Sequence, residues 1–273
     1  MIEYHISDDV FQKIYAFLVT LKGIHTKNKE KIRVFLEAIY YLCRTGCQVR
    51  LLPKEYGNCF SIYQKFLRWK KRGIWEALFD NFKDMDGEYF SIDATIIRAN
   101  QCAAGYGRGW HEDLGRSCGG LSTKIHALVD ALGNAAKFLL SPGNEHDIKK
   151  ADELTEGLEN TQVIGDRAYD SKEFVDSMEN KGCEAIIPSR SNSKEKREID
   201  KHLYKERHLV ENFFSKIKWF RGVATRYGKT SSSYISDVCG DYAMATVISL
   251  TRPNKIKNFR AVASRFCKTS TSL

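Results

Sequence analysis

Residues 87–97 read GEYFSIDATII, and this stretch decides the fold because it is where helix-forming sequence gives way to strand-forming sequence. Its β-branched and aromatic side chains are typical of a β-strand. Asp93 stands in the middle of the run, with Ile92 and Ile96 nearby. An ionised carboxylate is costly at such a position unless it pairs with a cation or binds a metal. The stretch therefore predicts a strand whose acid needs a partner.

The chain that follows this strand predicts a mixed α/β sheet. Its order is strand, glycine-rich loop, hairpin, helix, strand, helix, strand, helix, an antiparallel start as in the ribonuclease H-like fold. The second strand of interest, in TQVIGDRAYDS, ends at Asp166. The predicted elements are a loop over 101–120, two strands within 121–143 that turn near Gly133, helices over 147–158, 171–182 and about 202–220, and strands within 161–166 and 184–189.

Residues 8–84 read as three or four short helices, and the third of them, QKFLRWKKR, is basic. Such a group resembles a helix-turn-helix bundle. We therefore predict a helical DNA-binding domain over 1–85, a ribonuclease H-like catalytic domain over 86–250 and a basic tail over 251–273. The predicted DNA contacts of the first domain are Lys65, Arg68, Lys70, Lys71 and Arg72.

Composition favours a nucleic-acid partner. The chain is 42% apolar and has a formal net charge of +9. The cations are clustered, since residues 190–229 hold twelve Lys and Arg against five acids, which favours a polyanion as ligand. Eight scattered cysteines complete no zinc motif, and no apolar run reaches the roughly 18 residues of a membrane span. No signal peptide is evident, so reduced thiols in a cytosolic protein are expected.

The stretch YKERHLVENFFSKIK, residues 204–218, places one acid among cations. At about 100° per residue, Tyr204, Arg207, Glu211 and Lys218 share an arc of about 60° beside an apolar stripe. One interpretation is a solvated face on which Arg207 and Glu211 form an i,i+4 ion pair. The other is a functional face.

Three carboxylates can meet in this fold. If the first and fourth strands are neighbours, Asp93 and Asp166 converge at one sheet edge, and Glu211 approaches from the helix packed across it. Clustered carboxylates repel, and hard divalent cations such as Mg²⁺ neutralise them. Two such ions can hold the attacking and leaving oxygens of a phosphodiester transfer. Structural roles also stay open, because Asp93 can cap a turn and Asp166 can be an N-cap.

These motifs resemble those of a known family. The spacing Tyr204-x2-Arg207-x3-Glu211-x6-Lys218 is similar to the Tyr-Arg-Glu-Lys signature of DDE insertion-sequence transposases. FSIDATIIRA and VIGDRAYDS resemble the two aspartate motifs of that class. GRSCGGLSTKIHALVDALGN, IIPSRSN, FRGVATRYGKT and the N-terminal KFLRWKKRGIWE resemble the insertion-sequence-five (IS4/IS5-like) branch. The resemblance covers nearly the whole chain.

The resemblance implies a role for each matching residue. Asp93, Asp166 and Glu211 would be the catalytic triad and would bind Mg²⁺ or Mn²⁺, as two ions. Arg207 and Lys218 would contact DNA phosphates, and Tyr204 would position the backbone. The implied activity is binding of terminal inverted repeats followed by metal-dependent strand cleavage and transfer. The implied partners are double-stranded DNA, both transposon ends and target, and further copies of the chain in a synaptic complex in the bacterial cytoplasm.

The sequence departs from that branch at three positions, where Val49 and Cys59 replace common tryptophans and Cys118 replaces a common arginine. The departures keep a second interpretation open, a DNA-binding protein that retains the fold and has lost catalysis. A third is a stand-alone nuclease of the same fold, which would not require an N-terminal recognition bundle.

Overall fold

A computed structural model describes residues 6–22, 24, 28–82, 87–104, 113–190 and 196–249. The chain divides into two compact units. Among the described residues, the first contains those up to Cys43, those from Cys47 to Phe82, and residues 240–249. The second consists of Arg44–Gly46 and Lys83–Cys239. The predicted basic tail, 251–273, lies outside the described residues.

The first unit is helical and is built around aromatic side chains. Phe35 packs edge-on against Trp69, with ring centroids 4.9 Å apart, and Trp69 lies 5.3 Å from Trp75. All three are buried, and large rings bury the most apolar area per residue. The helices run Asp8–Leu18 (α1), Lys29–Thr45 (α2), Cys59–Lys71 (α3) and Ile74–Phe82 (α4).

The second unit is built on a mixed β-sheet. The described strands are Tyr89–Ala99 (β1), Gly115–Ser117 (β2), Gly120–Asp130 (β3), Ala135–Pro142 (β4), Gln162–Ile164 (β5), Glu184–Ile186 (β6) and Thr225–Arg226 (β7). The helices of this part of the chain are Ala151–Leu154 (α5), Lys172–Asn180 (α6), Lys201–Tyr204 (α7), His208–Ile217 (α8), Arg221–Ala224 (α9) and Ser231–Ser249 (α10), the last running into the first unit.

The sheet topology confirms the predicted fold class. β3 pairs antiparallel with β1 and with β4, whereas β5 pairs parallel with both β1 and β6. The main order is therefore β4-β3-β1-β5-β6, with β2 beside β3 and β7 beside β1. Three antiparallel strands followed by parallel ones give the mixed α/β sheet of the ribonuclease H-like fold.

Strand register assigns α8 to one face of this sheet. Asp93 of β1 pairs with Ala127 of β3, which pairs with Phe138 of β4. Directly paired residues share a face. Phe213 of α8 stacks on Phe138 with ring centroids 5.8 Å apart, so α8 covers the face that carries Asp93. The opposite face holds a buried cluster that includes Ile92.

Three sequence predictions of secondary structure were too simple. The predicted loop contains a short strand, β2, which pairs with β3. The helix expected over 147–158 is a 3-10 turn, Asp147–Lys150, followed by the single-turn α5. The helix expected over about 202–220 is interrupted by a 3-10 turn at Lys205–Arg207. Among the described helices, none has both the length and the hydropathy needed to cross a membrane.

Candidate active site

Asp93 lies where one edge of β1 has no partner strand in the described chain. Along its other edge, β1 pairs with β3 from Phe90 to Arg98. On the open edge, β5 pairs only as far as Ser91, and β7 begins to pair at Arg98. The Asp93 side chain is 21% exposed. The carboxylate of Asp93 is therefore partly exposed at a part of the β1 edge where no described strand pairs with it.

Asp166 follows β5 and lies beside this part of the β1 edge. The last parallel pair joins Ser91 to Ile164, and each aspartate stands two residues beyond its own member of that pair. The two acids are thus level across the sheet. Asp166 also accepts a hydrogen bond from the backbone N–H of Ala168 at its Oδ1, over 2.8 Å. It therefore has the capping role that the sequence left open as well as a position next to Asp93.

Arg207 connects Asp93 with Glu211. Its Nη2 lies 2.5 Å from Oε1 of Glu211, and its Nη1 lies 4.0 Å from Oδ2 of Asp93. The i,i+4 pair expected for a solvated face is therefore present. The same guanidinium also reaches a carboxylate on β1, which an ordinary surface pair would not do. The structure thus brings Asp93, Arg207 and Glu211 together.

Burial raises the pKa of Asp93 to about 6 because the ionised carboxylate loses its water. The negative charges of Asp166 and Asp147 raise it further. A hydrogen bond from the backbone N–H of Ala94, 2.8 Å from Oδ1, and the charge of Arg207 act in the opposite direction. The positive charge near Asp93 is therefore too small to neutralise its carboxylate, and a cation bound there would supply the missing charge.

The donor atoms of the predicted triad suit a hard divalent cation, since carboxylate oxygens are the ligands that Mg²⁺ and Mn²⁺ prefer. In the ranges that the structure describes, however, no three His, Cys, Asp or Glu side chains are gathered closely enough to hold a metal ion. The Glu211 carboxylate is instead held by Arg207. The chemistry of the residues fits a metal, and the Arg207 guanidinium supplies the positive charge in this conformation.

A fourth acid, Asp147, was not predicted from the sequence. Its Oδ1 accepts a bond from Nζ of Lys124 at 2.7 Å, and the same amine donates to the Glu145 carbonyl at 2.7 Å. The charge of Asp147 contributes to the raised pKa of Asp93 and, after burial, to that of Tyr169. Lys124 and Asp147 are 23 residues apart, and only the folded hairpin brings them together. No local motif marks either residue.

Tyr204 and Lys218 lie at the two ends of the segment that contains Glu211. Tyr204 is half-buried at the end of α7, and Lys218 is exposed just after α8. The four signature residues do not lie on one continuous α-helix as predicted, because the 3-10 turn at Lys205–Arg207 separates Tyr204 from α8. A physical reason for this turn is the side chain of His208, whose Nδ1 lies 2.9 Å from the Lys205 carbonyl oxygen. This contact competes with the backbone hydrogen bond that the same oxygen would accept in an α-helix.

Two family models match the chain. The model described as "Transposase DDE domain" matches residues 85–233, more than half of the 273 residues. The chain belongs to the DDE transposase family. A second model, described as "Putative transposase of IS4/5 family", matches residues 6–79, which agrees with the predicted branch.

Two curated proteins are similar to this transposase, and the name of the first agrees with the family assignment. "Putative transposase for insertion sequence element IS6501" of Brucella ovis is 37% identical over 123 residues, 43% of this chain and 92% of the relative. "Uncharacterized protein y4sN" of Sinorhizobium fredii is 31% identical over 103 residues, 36% of this chain and 79% of the relative.

Solved structures show a weaker likeness. The piggyBac transposase synaptic complex with hairpin DNA has a TM-score of 0.44 and 11% identity, covering 92% of this chain and 74% of that one. The Mos1 transposase paired-end complex with left transposon end has a TM-score of 0.26 and 9% identity, covering 79% of this chain and 77% of that one. Both scores lie below 0.5, so the family assignment rests on the sequence matches.

The predicted DNA-binding cations of this transposase differ in their surroundings. Nζ of Lys65 lies 4.2 Å from the ring centroid of Phe35 and 5.3 Å from that of Trp69. Burial lowers the pKa of Lys65 to about 8. Nζ of Lys70 lies 4.6 Å from the ring centroid of Phe66. The side chains of Arg68, Lys71 and Arg72 are exposed.

These surroundings predict different effects of two substitutions on DNA binding. Arg68→Ala should flatten the log–log salt dependence of binding by about one unit if Arg68 neutralises one phosphate. Lys65→Met should leave that slope unchanged, because a lysine held on aromatic rings releases no counterion from DNA. Binding titrations of both full-length variants between low and moderate salt would measure the slopes. Equal flattening by the two variants would contradict this difference.

Proposed function

We propose that this transposase binds the terminal inverted repeats of its insertion sequence and catalyses metal-dependent DNA strand cleavage and strand transfer. The observation that carries the proposal is the arrangement at the open edge of β1. Asp93 and Asp166 are level across the sheet there, and Arg207 connects Asp93 to Glu211. Three acids and a guanidinium fork at an accessible sheet edge suit a phosphodiester substrate.

In this proposal Asp93, Asp166 and Glu211 hold two Mg²⁺ or Mn²⁺ ions. When bound, these ions would activate the attacking oxygen and stabilise the leaving one. Arg207 would exchange its contacts with Asp93 and Glu211 for contacts with a DNA phosphate, since one guanidinium fork suits either anion. Tyr204 would orient the backbone near the cleaved bond. The side chains supply negative charge for the ions and positive charge for the DNA.

Cleavage of end DNA by the full-length protein tests the proposal. Sequencing the DNA that flanks the gene would identify short inverted repeats, and duplexes that carry them would be the substrates. We expect cleavage with Mg²⁺ or Mn²⁺, joining of the cut end to a second duplex, and no reaction with EDTA. Specific binding without cleavage under all these conditions would instead support the alternative, a DNA-binding protein descended from a transposase that has lost catalysis.

The partners follow from the same proposal. Double-stranded DNA enters twice, first as the transposon end and then as the target. Because an insertion sequence has two terminal repeats, both ends must be held together before they are joined to the target. We propose a homo-oligomeric synaptic complex on DNA in the bacterial cytoplasm. The domain limits of 1–85 for end recognition and 86–250 for chemistry stay part of this proposal.

Lys218→Ala should weaken end binding without a matching loss of cleavage rate in the bound complex. Lys218 is exposed directly after α8, so its amine can contact a phosphate without serving the core. Removing one phosphate contact should flatten the salt dependence of binding by about one log–log unit. Titrations at several salt concentrations measure this slope, with Lys172→Ala on α6 as an exposed control. An unchanged slope would remove Lys218 from the interface.

A further inference from the structure

Helix α3 has an exposed face that changes character along its length. The first half presents uncharged side chains, and the second half presents cations. Phe60 is 72% exposed, the largest exposed fraction among the large apolar side chains described, and Tyr63 is 38% exposed. An exposed aromatic ring at the start of a basic helix suits a ligand that has both apolar and anionic parts. The exposed residues are Phe60, Ser61, Tyr63 and Gln64 in the first half and Arg68, Lys71 and Arg72 in the second.

These residues lie on one side of the helix. At about 100° per residue, Phe60, Gln64, Arg68 and Lys71 fall within an arc of about 80°. Gln64 and Arg68 stand one turn apart, as do Phe60 and Gln64. A single elongated surface can therefore be contacted along the whole helix.

The opposite side fixes the helix in place. Ile62 and Trp69 are buried, and Trp69 packs between Phe35 and Trp75. Asn58 caps the N-terminus, since its side chain accepts a bond from the Ser61 backbone N–H at 3.1 Å. The exposed face is therefore presented on a rigid element, which is what sequence readout of a ligand requires.

Double-stranded DNA has the matching chemistry. Its major groove is wide enough for one α-helix, and base edges are read there by neutral donors and acceptors, glutamine at adenine in particular. Apolar side chains contact the thymine methyl, and cations contact the phosphates that flank the groove. A helix with an uncharged first half and a basic end matches a helix whose N-terminal residues meet base edges.

We propose that α3 is the element that reads the sequence of the terminal repeats, with Gln64 bound to an adenine and Phe60 against the methyl group of a nearby thymine. Arg68, Lys71 and Arg72 contact phosphates and set the register of the helix. This inference rests on the proposed function and adds to it the residues that determine specificity.

Selection of bound sequences tests this assignment. The full-length protein is mixed with a pool of randomised double-stranded DNA, and bound duplexes are sequenced over several rounds. We expect Gln64→Ala to lower the preference for adenine at one position by about 5- to 100-fold, the range of one bidentate contact. Gln64→Arg should shift that position towards guanine. Lys71→Ala should weaken binding to all sequences and leave the selected motif unchanged.

Gln12→Ala supplies the matched control, because Gln12 is an exposed glutamine on α1 of the same unit and should leave the motif unchanged. If the wild-type protein selects a motif that neither Gln64 variant alters, the assignment of α3 is overturned and the proposed function stands. If the wild-type protein selects no motif, the result contradicts both the assignment of α3 and the proposed function. Loss of self-association by Phe60→Ala, with an unaltered motif, would make this face an interface with a second copy and would overturn the assignment.

Discussion

Asp93→Asn should abolish metal-dependent cleavage and at the same time make the folded protein more stable at neutral pH. The loss of activity should reach about 10³-fold or more, because a metal ligand stabilises the transition state by several kcal/mol. The asparagine carbonyl can still accept the bond from the Ala94 N–H that Asp93 accepts at 2.8 Å. The substitution thus removes the charge and leaves the local structure in place.

The gain in stability follows from the sign of the pKa shift. Folding raises the pKa of Asp93 from 3.8 to about 6, mainly through burial, so the protonated form favours the folded state. That contribution is fully present below about pH 4 and is lost as the pH rises through 6. At pH 7.5 the ionised wild-type side chain therefore opposes folding, and asparagine should recover about 1–3 kcal/mol.

Thermal unfolding without divalent metal measures this effect. The melting temperature of Asp93→Asn should exceed that of the wild type by a few degrees at pH 7.5, and the difference should shrink towards pH 4. Asp176→Asn is the control, because Asp176 is exposed on α6 and should change neither cleavage nor the pH dependence. Cleavage by Asp93→Asn at more than a tenth of the wild-type rate would remove Asp93 from the triad.

Arg207→Ala should slow strand cleavage by about 10²-fold while changing the melting temperature by no more than about 2 °C. The substitution removes the guanidinium that connects Asp93 with Glu211 and, as we propose, holds a DNA phosphate. A partly exposed i,i+4 pair contributes only about 0.3–0.5 kcal/mol to stability. Loss of a phosphate-positioning group affects the reaction far more. The positive charge of Arg207 lowers the pKa of Asp93, so the residual activity should begin at higher pH.

The assay is cleavage of a pre-formed end complex at saturating protein, which separates the chemical step from binding. Arg207→Lys keeps the charge and loses the fork, so it should recover only part of the rate. Lys205→Ala, an exposed cation two residues away, should cleave normally. A wild-type rate for Arg207→Ala would identify the Arg207–Glu211 contact as an ordinary surface pair.

The sheet was predictable from the sequence because its signals are local. Alternation and turn residues indicated β1, the hairpin of β3 and β4, and the short strands β5 and β6. Convergence of Asp93 and Asp166 then needed one assumption, that β1 and β5 are neighbours, and the parallel pairing of Ser91 with Ile164 bears that out.

Contacts between distant side chains were not predictable in this way. The reach of Arg207 to Asp93 depends on how α8 packs on the sheet, through Phe213 and Phe138. The aromatic surroundings of Lys65 could not be predicted from its charge. Its long aliphatic stem lets the amine lie over Phe35, which a sequence pattern does not reveal.

Within the part of the chain that the structure describes, the gap in the pairing of β1 affects how the protein should behave in solution. An unpaired strand edge is a template on which a strand of another molecule can pair, and such pairing leads to aggregation. Here β5 and β7 stop any added strand at Ser91 and Arg98, so only a short pairing is available. The charge of Asp93 within that segment opposes it further. The unpaired part of β1 that carries Asp93 is therefore short, and we expect it to be a poor template for edge-to-edge pairing between copies of the chain.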